Sequence, residues 1–220
     1  MTPDPWMFGW TQVLTVVGFI ITICIALGGF RTFGRWKREK LEEKKIEIAF
    51  EALSIAYETK FIFETIRSPM ASPYEWADMP RIQAESDDDW SQRGTFYATL
   101  KRIERNKDFF DRLWKLQPRF MAIFGPQTED IFLLLHQARR FIEVSAQMLG
   151  RKRDYSEGWS EDRQRLNQRM EADIWSGMDE VFDGDEVIPD LDRVSSRLRQ
   201  FRDKMVSLCR PIVDREFRPT

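Results

Sequence analysis

Residues 13–30 read VLTVVGFIITICIALGGF, an uncharged run whose only hydroxyls are Thr15 and Thr22. Adding Gly9–Gln12 brings it to about 22 residues, which at ~1.5 Å per residue covers the ~30 Å hydrocarbon layer of a bilayer. Inside lipid every backbone N–H and C=O must be paired within the segment, so the run predicts a helix. Trp6 and Trp10 flank one end, Phe33 and Trp36 the other, where amphipathic rings favour the two interfaces. A cleaved signal peptide would need a basic n-region, whereas residues 1–10, MTPDPWMFGW, hold Asp4 and no Lys or Arg. A helix of a soluble core is rarely uncharged for so long. The reading is therefore a retained single-pass anchor.

The flanks give an orientation. Arg31, Arg35, Lys37, Arg38 and Lys40 follow the run closely, with Lys44 and Lys45 beyond. Basic residues resist translocation, so the N-terminus is expected outside and the C-terminus in the cytoplasm, at an inner membrane. The same five basic residues could touch anionic headgroups, at up to ~1 kcal/mol each. Cys209 would then be a free thiol in a reducing compartment, and Cys24 would lie in lipid.

Within the run, Thr11, Thr15, Gly18, Thr22, Ala26 and Gly29 recur at steps of three and four. At about 100° per residue they share an arc of roughly 80°. Small residues let helix backbones approach closely in lipid, so this arc is the expected helix–helix interface, with a copy of the chain or another membrane protein.

The other 190 or so residues have a different character. Across the 220 residues, 34 Lys and Arg against 36 Asp and Glu leave a net charge of -2, which argues against a nucleic-acid partner. Aromatic residues at 13% argue for a folded chain. Two cysteines cannot build a disulfide scaffold.

Three segments are expected: tail and anchor over 1–34, a helical stem entering a bundle over 35–67, and the remaining cytoplasmic helical domain over 68–220. In the stem, opposite charges interleave at helical spacing, as in Arg38 with Glu42 and Glu42 with Lys45. Gly28, Gly29 and Gly34 mark an expected flexible exit from the membrane. Ile46, Phe50, Leu53, Tyr57, Lys60/Phe61 and Glu64 then repeat at fours and threes, with Ala49 and Ala56 beside them, close to a coiled-coil seam that ends at Ser68-Pro69. A proline-rich, acidic loop is expected over 68–89, long enough to be functional or mobile.

A second helix is expected from Asp89 with Phe96, Leu100, Ile103, Lys107, Phe110 and Trp114 on one face, ended or restarted at Pro118. A third starts at Thr128 as its hydroxyl cap, carries Ile131, Leu134/Leu135, Ala138, Phe141/Ile142, Ser145 and Met148/Leu149, and closes at Gly150. A fourth carries Leu166, Met170, Ile174 and Met178. The last begins near Pro189 with Leu191, Val194, Leu198, Phe201, Met205, Leu208 and Ile212 in near-heptad register, its end kinked by Pro211. No stretch alternates with period two. The fold class is all-α: one N-terminal transmembrane helix followed by an antiparallel bundle of about five helices. Phe50, Phe96, Phe110, Trp114, Phe141, Trp175 and Phe201 are its expected aromatic core.

Chemistry-bearing groups are sparse. The one histidine, His136, has no metal-ligand companions at zinc spacing, and no GxSxG, P-loop or dinucleotide fingerprint occurs. Asp87–Asp89 suits a helix N-terminus. Asp179, Glu180, Asp183, Asp185, Glu186, Asp190 and Asp192 only partly fit a calcium loop and read better as a solvated acidic loop facing basic helices. No cofactor, metal or catalytic set is expected.

Four segments, Ile-Arg-Ser-Pro at 66–69, Arg-Phe-Met-Ala-Ile-Phe-Gly at 119–125, Ile-Trp-Ser-Gly at 174–177 and Cys-Arg-Pro-Ile at 209–212, resemble segments of bacterial single-pass membrane proteins of unknown function. The resemblance implies a bacterial inner membrane with the helical domain in the cytoplasm, and lends no activity. The leading functional expectation is a membrane-tethered interaction or scaffold module. Alternatives are a membrane-perturbing effector of toxin or defence type, gated by its bundle, and an unrecognised enzyme using Asp87–Asp89, His136 or the Asp183 region.

Overall fold

The computed structural model describes residues 9–151, 161–175 and 192–216. Every regular element among them is helical: α1 (Trp10–Ile66), α2 (Asp87–Arg105), α3 (Lys107–Phe124), α4 (Glu129–Leu149), α5 (Glu161–Ile174) and α6 (Arg193–Glu216), with 3-10 turns at Pro73–Glu75 and Pro126–Thr128. Internal contacts divide the chain into two units, Met1–Glu47 and Ile48–Thr220, with the boundary inside α1.

The described residues of the first unit form a single helix, the first part of α1. It carries the one window among the described residues that is long and apolar enough to cross a membrane, and no residue of that window is buried. The helix continues through Gly28, Gly29 and Gly34, where a flexible exit was expected. Each glycine costs only about 1 kcal/mol in a helix interior, and propagation from both flanks outweighs that. Thr22 and Thr32 donate their hydroxyls back to the Gly18 and Gly28 carbonyls at 2.9 and 3.0 Å, which satisfies both groups without water. Ion pairs along the stem include Arg35–Glu39, Lys40–Glu43 and Lys44–Glu47, and Arg38 donates to the Gly34 carbonyl.

The second unit is a helical bundle. Its main core joins α1 (Ile48, Ala52, Ile55, Phe63), α3 (Phe110, Leu113, Phe120), α4 (Phe132, Leu135, Ile142) and α6 (Phe201, Met205, Cys209). Phe63 and Phe110 meet edge to face, as do Phe120 and Phe132, at 6.1 and 5.4 Å between centroids. A second cluster packs Phe96 of α2, Ala146 and Leu149 of α4, and Met170 and Ile174 of α5. A third seats Trp76 and Met79 of the 68–86 segment on Ala98 of α2.

Several local expectations change. The helix expected from Asp89 through Trp114 divides at Asn106, whose backbone leaves the helical region at φ -94°, ψ 20°. The Asn106 side-chain amide donates to the Arg102 carbonyl at 2.8 Å, closing α2 locally and favouring the turn. Pro118 sits inside α3 on its exposed side and ends nothing, and α6 continues through Pro211 to Glu216. The start of α6 is capped by Asp192, whose carboxylate accepts from the Ser195 amide at 2.9 Å. Pro189, Leu191 and Met178 lie outside the described residues.

Thr128 does not cap α4 through its hydroxyl, which donates instead to the Gly125 carbonyl at 2.7 Å. The tight α3–α4 turn places that carbonyl beside it, and Gly125 allows the turn with φ 96°. Gly150 keeps a right-handed conformation at the end of α4 rather than the left-handed closure expected.

The seam of α1 is also turned. The side buried in the bundle is Ile48, Ala49, Ala52, Leu53, Ile55, Ala56, Phe63 and Ile66, whereas Phe50, Tyr57 and Phe61 remain 60%, 46% and 66% exposed. Alanines bring neighbouring helix backbones close, so the alanine-rich arc takes the core and the bulky rings face out. Trp114, also expected inside, is half exposed, while Phe96, Phe110 and Phe201 are buried.

Candidate interaction surfaces

The small-residue arc of α1 belongs to the first unit. Thr15, Gly18, Thr22, Ala26 and Gly29 are all exposed; Thr11 lies in the helix at its start. A Cβ built on Gly18 or Gly29 meets nothing within 4 Å among the described residues. Bulkier exposed neighbours, Phe19, Ile20, Ile25 and Leu27 among them, occupy the rest of the circumference. Arg31, Arg35, Lys37, Arg38 and Lys40 are exposed as well. Geometry thus leaves both sets accessible.

The second unit presents a different surface. Phe50, Ser54, Tyr57 and Phe61 follow one another at steps of four, three and four on the outward side of α1. Ion pairs to α3, Glu51–Arg119 at 3.0 Å and Glu58–Arg112 at 2.6 Å, border them on one side. Tyr57 interacts with Arg210 of α6, which pairs with Asp214 at 2.9 Å, on the other. An apolar stripe between charged edges has the anatomy of a protein–protein contact.

Polar groups inside the bundle are consumed by packing. Arg67, 1% exposed, follows the last turn of α1. Its guanidinium donates to the Ala172, Asp173 and Trp175 carbonyls at the end of α5, to the Ser195 hydroxyl at 2.8 Å and to the Asp192 carboxylate at 2.9 Å. A helix C-terminus leaves carbonyls without intrahelical donors and carries partial negative charge, which a cation satisfies. Next to it, the buried Asp173 carboxylate accepts from Ser145 at 2.7 Å and from both sides of the Arg193 fork at 2.9 and 2.7 Å. Arg193 stacks over Phe141 at 3.7 Å. Asp192 is therefore buried and ion-paired rather than part of a solvated acidic loop, because it serves at once as the cap of α6 and as the counter-ion of Arg67. Asp179, Glu180, Asp183, Asp185, Glu186 and Asp190 lie outside the described residues.

The 68–86 segment is likewise held in place. Arg102 of α2 forks onto Glu75 at 2.7 and 3.0 Å and donates to the Ser68 and Met70 carbonyls at 2.7 and 2.6 Å. Its hydrogen bond holds the Glu75 carboxyl below the ordinary range, against the opposing effect of burial. Arg93 forks onto Glu85 at 2.7 Å to each oxygen and donates to the Pro80 carbonyl at 2.8 Å.

His136 is half-buried, with Nε2 3.0 Å from the Gln117 amide oxygen and its ring 4.5 Å from that of Trp114. Burial first, and then the charge of Arg139, push its pKa below the usual value. Asp87–Asp89 form the first turn of α2 behind the cap Ser86, which accepts from the Asp89 amide, and Asp87 pairs with Arg81 at 2.8 Å. The structure thus does not bring His136 and Asp87–Asp89 together as one set of groups among the described residues. Nor do three or more His, Cys, Asp or Glu groups gather there as a metal cluster.

Fold and surfaces together define a class, an all-helical chain in which an apolar helix runs into a bundle with an exposed aromatic stripe. No family model matches the sequence, and no curated protein or solved structure matches it. The buried Arg67 node could not be read from sequence because most of its acceptors are backbone carbonyls, which carry no residue signature.

Proposed function

We propose that the chain is a single-pass, membrane-tethered interaction module of a bacterial inner membrane, with its helical bundle in the cytoplasm. The carrying observation is the apolar window of α1, none of it buried among the described residues, followed in the same helix by a packed bundle seam. A helix of that composition is stable where its surroundings are as apolar as it is. The basic set Arg31, Arg35, Lys37, Arg38 and Lys40 follows the window and supports the cytoplasmic side for what comes after it.

In this reading Thr11, Thr15, Gly18, Thr22, Ala26 and Gly29 form the contact face within lipid, toward a second copy or another membrane protein, and the basic residues meet anionic headgroups. Size-exclusion chromatography with light scattering on the detergent-solubilised full chain tests it, wild type against Gly18→Ile with Thr22→Ile. The reading expects an assembly larger than one chain for wild type and a smaller one for the variant. Monomers in both cases, with no partner recovered by crosslinking in membranes, would remove its basis.

A further inference from the structure

Helix α5 is held by one end. Residues 161–169 are exposed apart from the half-buried Asn167, and the buried residues of the helix are Met170, Asp173 and Ile174. Met170 and Ile174 rest on Phe96 of α2 and on Ala146 and Leu149 of α4, with Trp175 stacked on Phe96 at 5.9 Å. Helix α4, by comparison, buries apolar residues along its whole length, from Ile131 to Leu149. A 14-residue helix is only marginally stable by itself, so α5 keeps its turns through this docked end.

The polar contacts that fasten the docked end can be divided without stranding a charge. If α5 leaves, Arg67 gives up the Ala172, Asp173 and Trp175 carbonyls but keeps the Asp192 carboxylate and the Ser195 hydroxyl, both outside α5. Arg193 gives up the Asp173 carboxylate but keeps the Phe141 ring, and its side chain, 32% exposed, already reaches water. Asp173 travels with α5 into solvent, where its carboxylate is hydrated. The penalty that normally resists parting a buried pair comes from leaving one partner charged and uncompensated, and here neither arginine is left so. Elements with few buried apolar groups and exposed helical hydrogen bonds open at a fraction of the global unfolding free energy.

We infer that α5 is a releasable cover: it detaches and unwinds as one unit, uncovering Phe96, Ala146 and Leu149, while the core of α1, α3, α4 and α6 stays folded. This is independent of the membrane-tethered reading above.

Hydrogen–deuterium exchange of the detergent-solubilised full chain, read by mass spectrometry with fragmentation to single amides, tests it. In wild type, amides 165–169 and 170–175 should exchange together, about a hundredfold faster than amides 135–142 of α4. Asp173→Asn removes the charge that Arg193 grips and should quicken both parts of α5 about tenfold, with 135–142 unchanged. Met170→Ala loosens the apolar half of the same contact and should quicken α5 about tenfold or more, again with 135–142 unchanged. If 165–169 exchange fast while 170–175 stay as slow as α4, the exposed end merely frays and the inference is overturned. It is overturned equally if all of α5 is as slow as 135–142 in wild type, or if neither variant quickens α5 more than it quickens 135–142, since cover and core would then open together.

Discussion

The Arg67 guanidinium and the Asp192 carboxylate lie 2.9 Å apart, 1% and 9% exposed by side chain, and they join residues 125 positions apart in the chain. The same guanidinium closes the carbonyl end of α5, so one side chain fastens the end of α1, the end of α5 and the start of α6. Removing one partner of a buried, hydrogen-bonded pair costs ~3–5 kcal/mol, because the other is left charged and uncompensated. Arg67→Met should therefore lower the unfolding temperature by about 10 °C or more. Arg67→Lys should recover little, since an ammonium cannot reproduce the planar fork that reaches several acceptors. Thermal unfolding of the detergent-solubilised chain checks both. Arg67→Met within ~2 °C of wild type would show that the node contributes little to stability.

His136 and Glu75 are expected to act on stability in separate pH windows. His136 has a folded pKa below the ordinary 6.5, from burial and then Arg139. Its neutral form is favoured by folding, so that contribution is whole above 6.5 and is lost as pH falls from there through the folded value. Glu75 has a folded pKa below the ordinary 4.5, from its Arg102 hydrogen bond. Its contribution is whole above 4.5 and disappears as pH falls through the lower folded value. Denaturant midpoints measured from pH 8 to pH 3 should fall in both windows. His136→Gln should flatten the upper one alone, and Glu75→Gln the lower one alone. An unchanged upper slope in His136→Gln would contradict the assignment.

Gly94 of α2 lies under the Trp76 indole, and a Cβ there would fall 2.6 Å from three ring atoms. Gly94→Ala must push the ring outward, so an overpacking loss of about 1–3 kcal/mol is expected. Trp76, now 3% exposed, should become more accessible to quenchers. Acrylamide quenching of tryptophan fluorescence, beside an unfolding curve, measures both. Unaltered quenching together with unaltered stability would mean that the 68–86 segment does not rest on α2 as described.

What the sequence made legible follows from what periodicity can and cannot encode. On α6 the apolar positions lie on one side only, so the stripe read from sequence is the buried one: Val194, Phe201 and Met205 are fully buried, with Leu198, Leu208 and Ile212 packed at its edge. On α4 the inner members of the stripe, Ile131, Leu135, Ala138, Ile142 and Leu149, are buried, whereas Leu134 and Phe141 pack at its edge and Met148 stays exposed. Helix α1 has two apolar arcs, and period alone does not say which meets the core. Large rings outweigh alanines in a hydrophobic count, although Ala49, Ala52 and Ala56 are the residues that permit close packing. The break at Asn106 leaves no mark in the apolar spacing, which continues across it from Ile103 to Phe110. Asp192 looked like a member of an acidic run, since its partner Arg67 is remote in sequence and only folding brings the two together.

The most direct test of the central claim is the location of the carboxyl end. The full chain should be fused at its C-terminus to a green fluorescent protein and, separately, to alkaline phosphatase, and each fusion followed in the washed membrane fraction. The account predicts membrane-bound fluorescence and an inactive phosphatase, as expected for a bundle in the cytoplasm behind a spanning α1. Fluorescence in the soluble fraction, or an active phosphatase, would contradict it.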